Sequence, residues 1–410
     1  MMTESDLLHI ARNAFASDKP ARIAVAVSGG SDSLAALQLM ATADGSAVHA
    51  VTVDHALRAA SATEAAMVAD HCARLGVSHE TLIWQHGAIA GNLMDAARRA
   101  RYALMADWAA ARNISHIVLG HTADDQAETF LMGLARGAGI DGLAGMRPSW
   151  RQGAVNFVRP FLTCRRADLR AYLLRQAVAW IDDPGNEDEG FTRIKARRAL
   201  KELQPLGFTV EVLTGVVANL RSARQALRIA TIEAARICCR EDSGTVVFDR
   251  EAWGCSGAEV QRRLLNLALL WISGAGYPPR GSSLNRVLRA IDNGTDTTLA
   301  GCRIRMSEGS FRVMREPRAV AGLACPPGQL WDGRWQVDGP VQNGMELRAL
   351  GAAGLRLCRD WRATGIPRDA LVVSPAVWYD ESLIAAPLAG FGPEWRGRIV
   401  ADFSQFVVSH

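Results

Sequence analysis

Ser28-Gly29-Gly30-Ser31-Asp32-Ser33 sets two adjacent glycines among three hydroxyls and one carboxylate. Glycines let backbone N–H groups come close to an anion, and a helix starting at such a turn adds its positive N-terminus. The segment is therefore built to hold phosphate. It lacks the lysine of Gly-x-x-x-x-Gly-Lys-Ser/Thr and the spacing of Gly-x-Gly-x-x-Gly, so it is neither of those loops. A second group, Asp54, His55 and Arg58, offers an acid for a ribose or magnesium ion and cations for phosphates. A third is His121 with Asp124, Asp125 and Glu128 close behind. Paired carboxylates beside a histidine suit magnesium or a cationic substrate, while an Asp in a first turn also serves as a helix cap. Asp95, Arg98, Arg99 and Tyr102 fall at helical spacings, as on an ion-paired helix face. Arg136, just before Gly137, suits a phosphate or a helix C-terminus.

The elements around these groups follow from periodicity. Ile23 to Val27 reads as a strand running into the glycine turn, and Leu34, Leu37 and Met40 mark a helix behind it. Strands are expected at 48–53, 77–84 and 116–119, and helices at 62–75, 92–112 and 124–134. Such alternation predicts an α/β fold with a parallel sheet covered on both faces. Ligands of such folds bind beyond the carboxyl ends of the strands. Ser28, Asp54 and His121 each follow a strand end, so they should converge. Beyond Arg159-Pro160-Phe161-Leu162, a basic helix is expected at 165–175 and a turn at 182–186. A helical tract follows from 191 to about 240, broken at Pro205-Leu206-Gly207, with further helix at 250–293. A hairpin around Glu308-Gly309 and strands at 345–350 and 370–373 complete the pattern. Three domains are predicted: 1–205, a mainly helical 206–320 and a small α+β 321–410.

Composition narrows the class. The chain has 410 residues, 49% hydrophobic and 21% charged, which favours packed domains over disorder. The formal charge of +4 permits a polyanionic partner without requiring one, and the lysines are Lys19, Lys195 and Lys201, so the basic charge is nearly all arginine. Arginine suits bidentate phosphate contacts. The eight cysteines form no Cys-x-x-Cys, so no zinc or iron–sulfur framework is expected. The start of the chain is acidic and no apolar run reaches the ~20 residues of a membrane helix. A cytoplasmic protein without a membrane is expected.

Ser28 to Ser33 resembles the PP-loop of the N-type ATP pyrophosphatases, which cleave ATP between the α and β phosphates. The motifs SGGSDS, VDHALR, AARRARY, GHTADDQAETFLMGLARGAG and RPFL stand in the order and at the spacings of the tRNA(Ile)-lysidine synthases. Trp180 to Asn186 with Phe191-Thr192-Arg193 is similar to a further segment of that family. Trp361, Gly365-Ile366-Pro367, Pro375, Val377-Trp378-Tyr379 and Leu383-Ile384-Ala385 are similar to its last domain. The chain departs from the pattern at Gly185 (serine expected), Ile194-Lys195 (Asn-Arg) and Asp95 (glutamate), and Gly120 stands at a position that varies.

The resemblance implies a PP-loop ATPase domain, a helical tRNA-binding or linker domain and a C-terminal tRNA-binding domain. It implies ATP and Mg2+, free L-lysine, and a tRNA(Ile) with the anticodon CAU. The base is adenylated on the oxygen of carbon 2, pyrophosphate leaves, and the lysine ε-amine displaces AMP. Carried onto this sequence, Asp32, Asp125 and Arg136 are the catalytic candidates. Ser28, Gly29, Gly30, Ser31, Asp32, Ser33, Asp54 and His55 would hold ATP, with Asp32 also on magnesium. Asp95 and Asp125 would hold lysine, and Arg99, Arg166, Arg193 and Arg197 the tRNA. Oligomeric state stays open between monomer and homodimer. The alternatives are a PP-loop tRNA thiolase, an amidotransferase-type synthetase of small molecules, and a non-catalytic ATP-binding RNA-binding protein.

Overall fold

Strand β1 (Arg22–Ala26) alternates its side chains between two apolar layers, so both faces of its sheet are covered. Ile23 and Val25 belong to one buried cluster, while Ala24 belongs to another. The computed structural model describes residues 2–15, 18, 20–43, 47–54, 61–85, 93–181 and 192–409. The chain divides into two compact units, Met1–Arg224 and Gln225–His410.

In the first unit, α1 (Glu4–Asn13), β1, α2 (Ser31–Thr42), β2 (Ala47–Asp54), α3 (Ser61–Leu75) and β3 (Ser78–Ile83) are followed by α4 (Leu93–Ala111), β4 (His116–Leu119) and α5 (Ala123–Leu134). Then come α6 (Ile140–Leu143), the hairpin β5 (Ser149–Gln152) and β6 (Val155–Val158), α7 (Arg166–Arg175), α8 (Thr192–Leu203) and, up to Arg224, the first part of α9 (Val210–Cys238). The sheet order is β3-β2-β1-β4-β6-β5, parallel except for the β5–β6 pair. Chain order reverses direction between β1 and β4, and a crevice at such a switch point is where open α/β sheets bind ligands.

One face carries α1, α2, α3 and α7 through Leu7, Leu34, Leu37, Val68, Leu169 and Tyr172. The other carries α4 through Met105, Trp108 and Ala109 against Val51, Ile117 and Phe157. A third cluster fixes α5 to the start of α9: Ala123, Ala127 and Phe130 meet Val210, Leu213 and Val217. The expected break at Pro205 is a short 3-10 turn, Gln204–Leu206, ended by Gly207 at φ 89°.

The second unit holds a five-stranded antiparallel sheet in the order Cys239–Asp242, Thr245–Asp249, Ser310–Arg315, Cys302–Ser307, Thr297–Leu299. The stretch expected to be mainly helical thus carries a sheet beside its helices Ala258–Ser273 and Gly281–Asp292. Phe248, Trp253 and Phe311 pack at its centre. A four-stranded sheet follows, Ala324–Cys325, Met345–Ala349, Pro375–Tyr379 and Ser382–Ala385, with its own core. Residues 370–373, expected as a strand, lie instead in and just after the helix Arg368–Val372. Four apolar residues fit either period, and Pro367 ahead of them opens a helix. The helix Phe403–Ser409 returns to the first of these cores, burying Phe403 and Val407. Among the described residues no single helix is long and apolar enough to cross a membrane.

Candidate active site at the ends of β1 and β4

The glycine turn is fixed by its own serines. Ser33 Oγ accepts from the Ser28 amide at 3.1 Å and donates to the Gly30 carbonyl at 3.0 Å. Gly29 adopts φ +85°, and a Cβ there would sit 3.0 Å from Ile181 Cδ1, so glycine serves both backbone and space. The Ile181 amide donates to the Gly29 carbonyl at 3.0 Å. Gly30 is the N-cap of α2 and contributes no side-chain cap. The first amides of α2 therefore keep the positive end of the helix for an anion.

Gly120 explains how β4 and α2 come together. A Cβ on it would lie 2.6 Å from the Asp32 carbonyl oxygen. The chain leaving β4 thus packs directly on the first turn of α2. His121 follows, and Thr122 caps α5 in a capping box with Asp125. The Asp125 Oδ2 accepts from the Thr122 amide at 2.8 Å and from its hydroxyl at 2.9 Å.

Arg166, at the start of α7, joins these pieces. Its Nε donates to Asp32 Oδ2 at 2.8 Å, Nη2 to Asp125 Oδ1 at 3.2 Å and Nη1 to Glu128 Oε1 at 3.3 Å. One guanidinium is shared among three carboxylates. Glu128 is 1% exposed and takes further cations, Arg197 at 2.9 Å and Arg193 at 3.6 Å. Among the described residues the buried Glu128 Oε2 has no hydrogen-bond partner, only the longer ion pair with Arg193. Arg166 Nα donates to Asp124 at 2.7 Å, and Arg165 pairs with the same carboxylate. Arg170 Nε donates to the Ser31 hydroxyl at 3.1 Å.

Charge states follow from this sharing. Burial raises the Asp32 pKa, and its share of Arg166 does not undo that. Burial also works against Asp125, yet Arg166, His121 and Arg193 outweigh it and hold its carboxyl below the ordinary value. Burial disfavours the charge of Arg166, but Asp125, Asp32 and Glu128 keep it above its ordinary pKa.

The expected residues fall into distinct places. Ser28 to Ser33, Asp32 and Asp125 are brought together, and Asp54 ends β2 on the neighbouring strand. Arg166, Arg193 and Arg197, expected on the tRNA backbone, form ion pairs with the carboxylates, because Glu128 and its neighbours are buried and need counter-charge. Arg136, expected to be catalytic, follows α5 at the end opposite Asp125, about 16 Å along the axis at 1.5 Å per residue, and is exposed. Asp95 and Arg99 pair with each other at 3.5 Å on an exposed face of α4. His55, Gly185 and Asn186 lie outside the described residues. Arg159 and Arg170 were not singled out from the sequence as site residues; Glu128, read there with Asp124 and Asp125, stands at i+3 and i+4 from Asp125 and Asp124, a spacing that marks one helix face.

A Ser-Gly-Gly loop at the switch point of a parallel sheet, opening a helix and backed by buried carboxylates, defines a PP-loop nucleotide-binding domain, a class that binds ATP. A family model described as a PP-loop domain matches residues 3–203. Across its length the chain is similar to the tRNA(Ile)-lysidine synthase of Ruegeria pomeroyi, with 46% identity over 99% of this chain and 98% of that one. The tRNA(Ile)-lysidine synthase of a Bradyrhizobium species is 36% identical over 72% of this chain and 90% of its own. The chain belongs to the tRNA(Ile)-lysidine synthase family, whose members are ligases. Among solved structures, the U34-tRNA thiolase NcsA from Methanococcus maripaludis is similar over 54% of this chain and 78% of its own, at 14% identity and TM-score 0.45.

Proposed function

We propose that this chain joins L-lysine to carbon 2 of the first anticodon cytidine of a tRNA(Ile) with anticodon CAU. The observation that carries the proposal is the meeting of the phosphate-type loop with the Asp32–Asp125–Glu128 cluster, in a chain collinear with a lysidine synthase. In the first step the cytosine carbonyl oxygen attacks the α-phosphorus of ATP and pyrophosphate leaves. In the second the lysine ε-amine attacks carbon 2, loses a proton, and AMP leaves with the oxygen. The amides of residues 28–33 are suited to the charge that grows on the phosphate.

Asp32 fits magnesium, since that ion takes one or two carboxylates and completes its shell with phosphate oxygens and water. Among the described residues no group of three or more His, Cys, Asp or Glu is arranged to hold a metal alone, so substrate phosphates would supply the rest. When bound, magnesium would neutralise phosphate charge. Asp125 and Glu128 supply the negative charge that an ammonium substrate needs; Arg166 now occupies that role and would share it with the lysine. Asp95 would act from the α4 side. Residues 206–410 would contact the tRNA, and Arg99 is placed on an exposed face for the same purpose.

The thiolase alternative needs a reactive thiol near the loop. The cysteines of the first unit, Cys72 and Cys164, are buried and their thiols pushed up to about 11, which suppresses thiolate. The deciding experiment supplies ATP, magnesium, labelled lysine and tRNA(Ile) with CAU, with methionine tRNA as control. Lysine in the first tRNA only, with AMP formed, is expected. AMP without lysine would replace the nucleophile, and no AMP would favour a binding protein.

A further inference from the structure

His121 stands where β4 ends, beside the glycine whose backbone touches α2. Arg159 Nε donates to His121 Nδ1 at 3.1 Å. A guanidinium nitrogen only donates. Nδ1 is therefore the acceptor, and the hydrogen of the neutral ring sits on Nε2. Among the described residues Nε2 has no hydrogen-bond partner.

Arg159 is itself held from two sides. Its Nη1 donates to the Arg147 carbonyl at 2.6 Å, and its guanidinium lies 4.3 Å from the centre of the Trp150 ring. Trp150 and Phe157 are cross-strand partners in the β5–β6 hairpin and stack at 4.8 Å with an interplanar angle of 10°. Arg159 is 6% exposed. The hairpin, an antiparallel addition to a parallel sheet, thus presents a fixed donor to the imidazole.

We infer that Arg159 is a positioning residue, which fixes His121 with its hydrogen on Nε2 as a constant donor for a phosphate oxygen of the nucleotide at the ends of β1 and β4. The inference rests on the ATP reading for its ligand and on the geometry alone for the tautomer. The charged groups around the ring are Arg159, Asp125 of α5, Arg101 of α4 and Arg193 of α8. Burial comes first in opposing a proton on the ring, and the three cations add to it against Asp125, so its pKa is pushed down to about 3. His121 then remains a neutral donor across the range in which ordinary histidines titrate.

The test reads 15N chemical shifts of ring nitrogens in the full chain, with His121 assigned by its loss in His121→Asn, alongside AMP formation. In the natural sequence the Nε2–H tautomer should persist without titration from about pH 8 to about pH 5.5. Arg159→Leu should let the ring titrate in that range and exchange tautomers, and slow AMP formation about tenfold or more. Its rate relative to the natural sequence should recover in part as pH falls through the ring's titration midpoint, because imidazolium carries hydrogen on both nitrogens. A purely structural role would give a pH-independent ratio. Arg159→Lys, which keeps a group that never accepts, should retain the tautomer and the flat ratio even if Arg159→Leu does not fold. An Nδ1–H ring, a titrating His121 in the natural sequence, or a tautomer lost in folded Arg159→Lys would overturn the inference. Absence of AMP from the natural sequence would overturn the ATP reading instead, with the chemical shifts still deciding the tautomer.

Discussion

Two buried arginine–carboxylate clusters, one in each unit, are built to opposite ends. In the second unit Asp332 is 3% exposed and meets Arg315 through two guanidinium nitrogens at 3.0 and 2.8 Å, with Arg334 at 3.6 Å. Arg334 also donates to the Gly244 carbonyl at 2.9 Å and lies 5.2 Å from the Trp271 ring centre. There two cations enclose one anion, in the interior of the unit. In the first unit Arg166 is shared among three carboxylates, the further cations Arg193 and Arg197 both go to Glu128, and Asp32 is left with a raised pKa. The first arrangement is closed. The second keeps acceptor capacity at a crevice, where an incoming cation has something to gain. Burial of charge alone therefore does not mark a site; unequal sharing beside an anion-binding loop does.

The largest effect separating the two is expected at Asp332→Ala. It leaves two buried guanidinium groups without their anion and should cost about 3–5 kcal/mol, seen as early urea unfolding of the second unit's signal. A loss under about 1 kcal/mol would remove the contrast. Gly120→Ala comes next. A Cβ 2.6 Å from a backbone oxygen forces β4 and α2 apart, which should cost about 1–3 kcal/mol and weaken ATP binding, measured by calorimetry. Unchanged ATP affinity would show that the loop does not depend on this contact.

Asp32 and Asp125 sharpen the contrast within the first unit, because their shifts have opposite signs. A raised Asp32 pKa means that stability is lost as pH rises from 3.8 through the raised value. A lowered Asp125 pKa means that stability is present above 3.8 and lost as pH falls through the lowered value. At pH near neutrality Asp32→Asn should raise the melting temperature and Asp125→Asn should lower it, each by a few degrees, about what 1 kcal/mol produces in a unit of this size. The Asp32→Asn difference should shrink as pH falls toward 3.8, and the Asp125→Asn difference only as pH falls below it. Shifts of the same sign would contradict unequal sharing of Arg166. The smallest effect is expected at Arg99→Ala. Its exposed i,i+4 pair with Asp95 should contribute under about 0.5 kcal/mol, so a large loss of tRNA binding in that variant would report contact and not folding.

The sheet and the loop were legible because local patterns decide them. β-branched runs, alanine-rich helical stretches and the Ser-Gly-Gly turn each act within a few residues. Strand β4 was read at 116–119, as observed, and the glycine turn ends β1 as its motif requires. The short hairpin at Ser149–Gln152 and Val155–Val158 was not read, since Arg151, Gln152 and Asn156 dilute its apolar signal. In the second unit the hairpin around Glu308-Gly309 was read, as observed, while the strands Cys239–Asp242 and Thr245–Asp249 of the same sheet escaped, being short and following directly on a long helix. In the site, the acidic members were legible and the basic ones were not assigned to it. A buried carboxylate draws arginines from elements far away in sequence, Arg166, Arg193 and Arg197 to Glu128, and that choice is made by tertiary packing.

The return of Phe403 and Val407 to the core built by residues 235–313 ties the end of synthesis to the middle of the chain. Domains otherwise fold as they emerge from the ribosome, the first part first. Here the middle core stays unsealed beside Trp271 until residue 407 has been made, since Phe403 covers that ring and the Ala401 carbonyl accepts its indole N–H. A premature stop anywhere after residue 320 would thus damage both halves of the second unit. It would leave the ATP-binding unit, translated long before, to fold undisturbed.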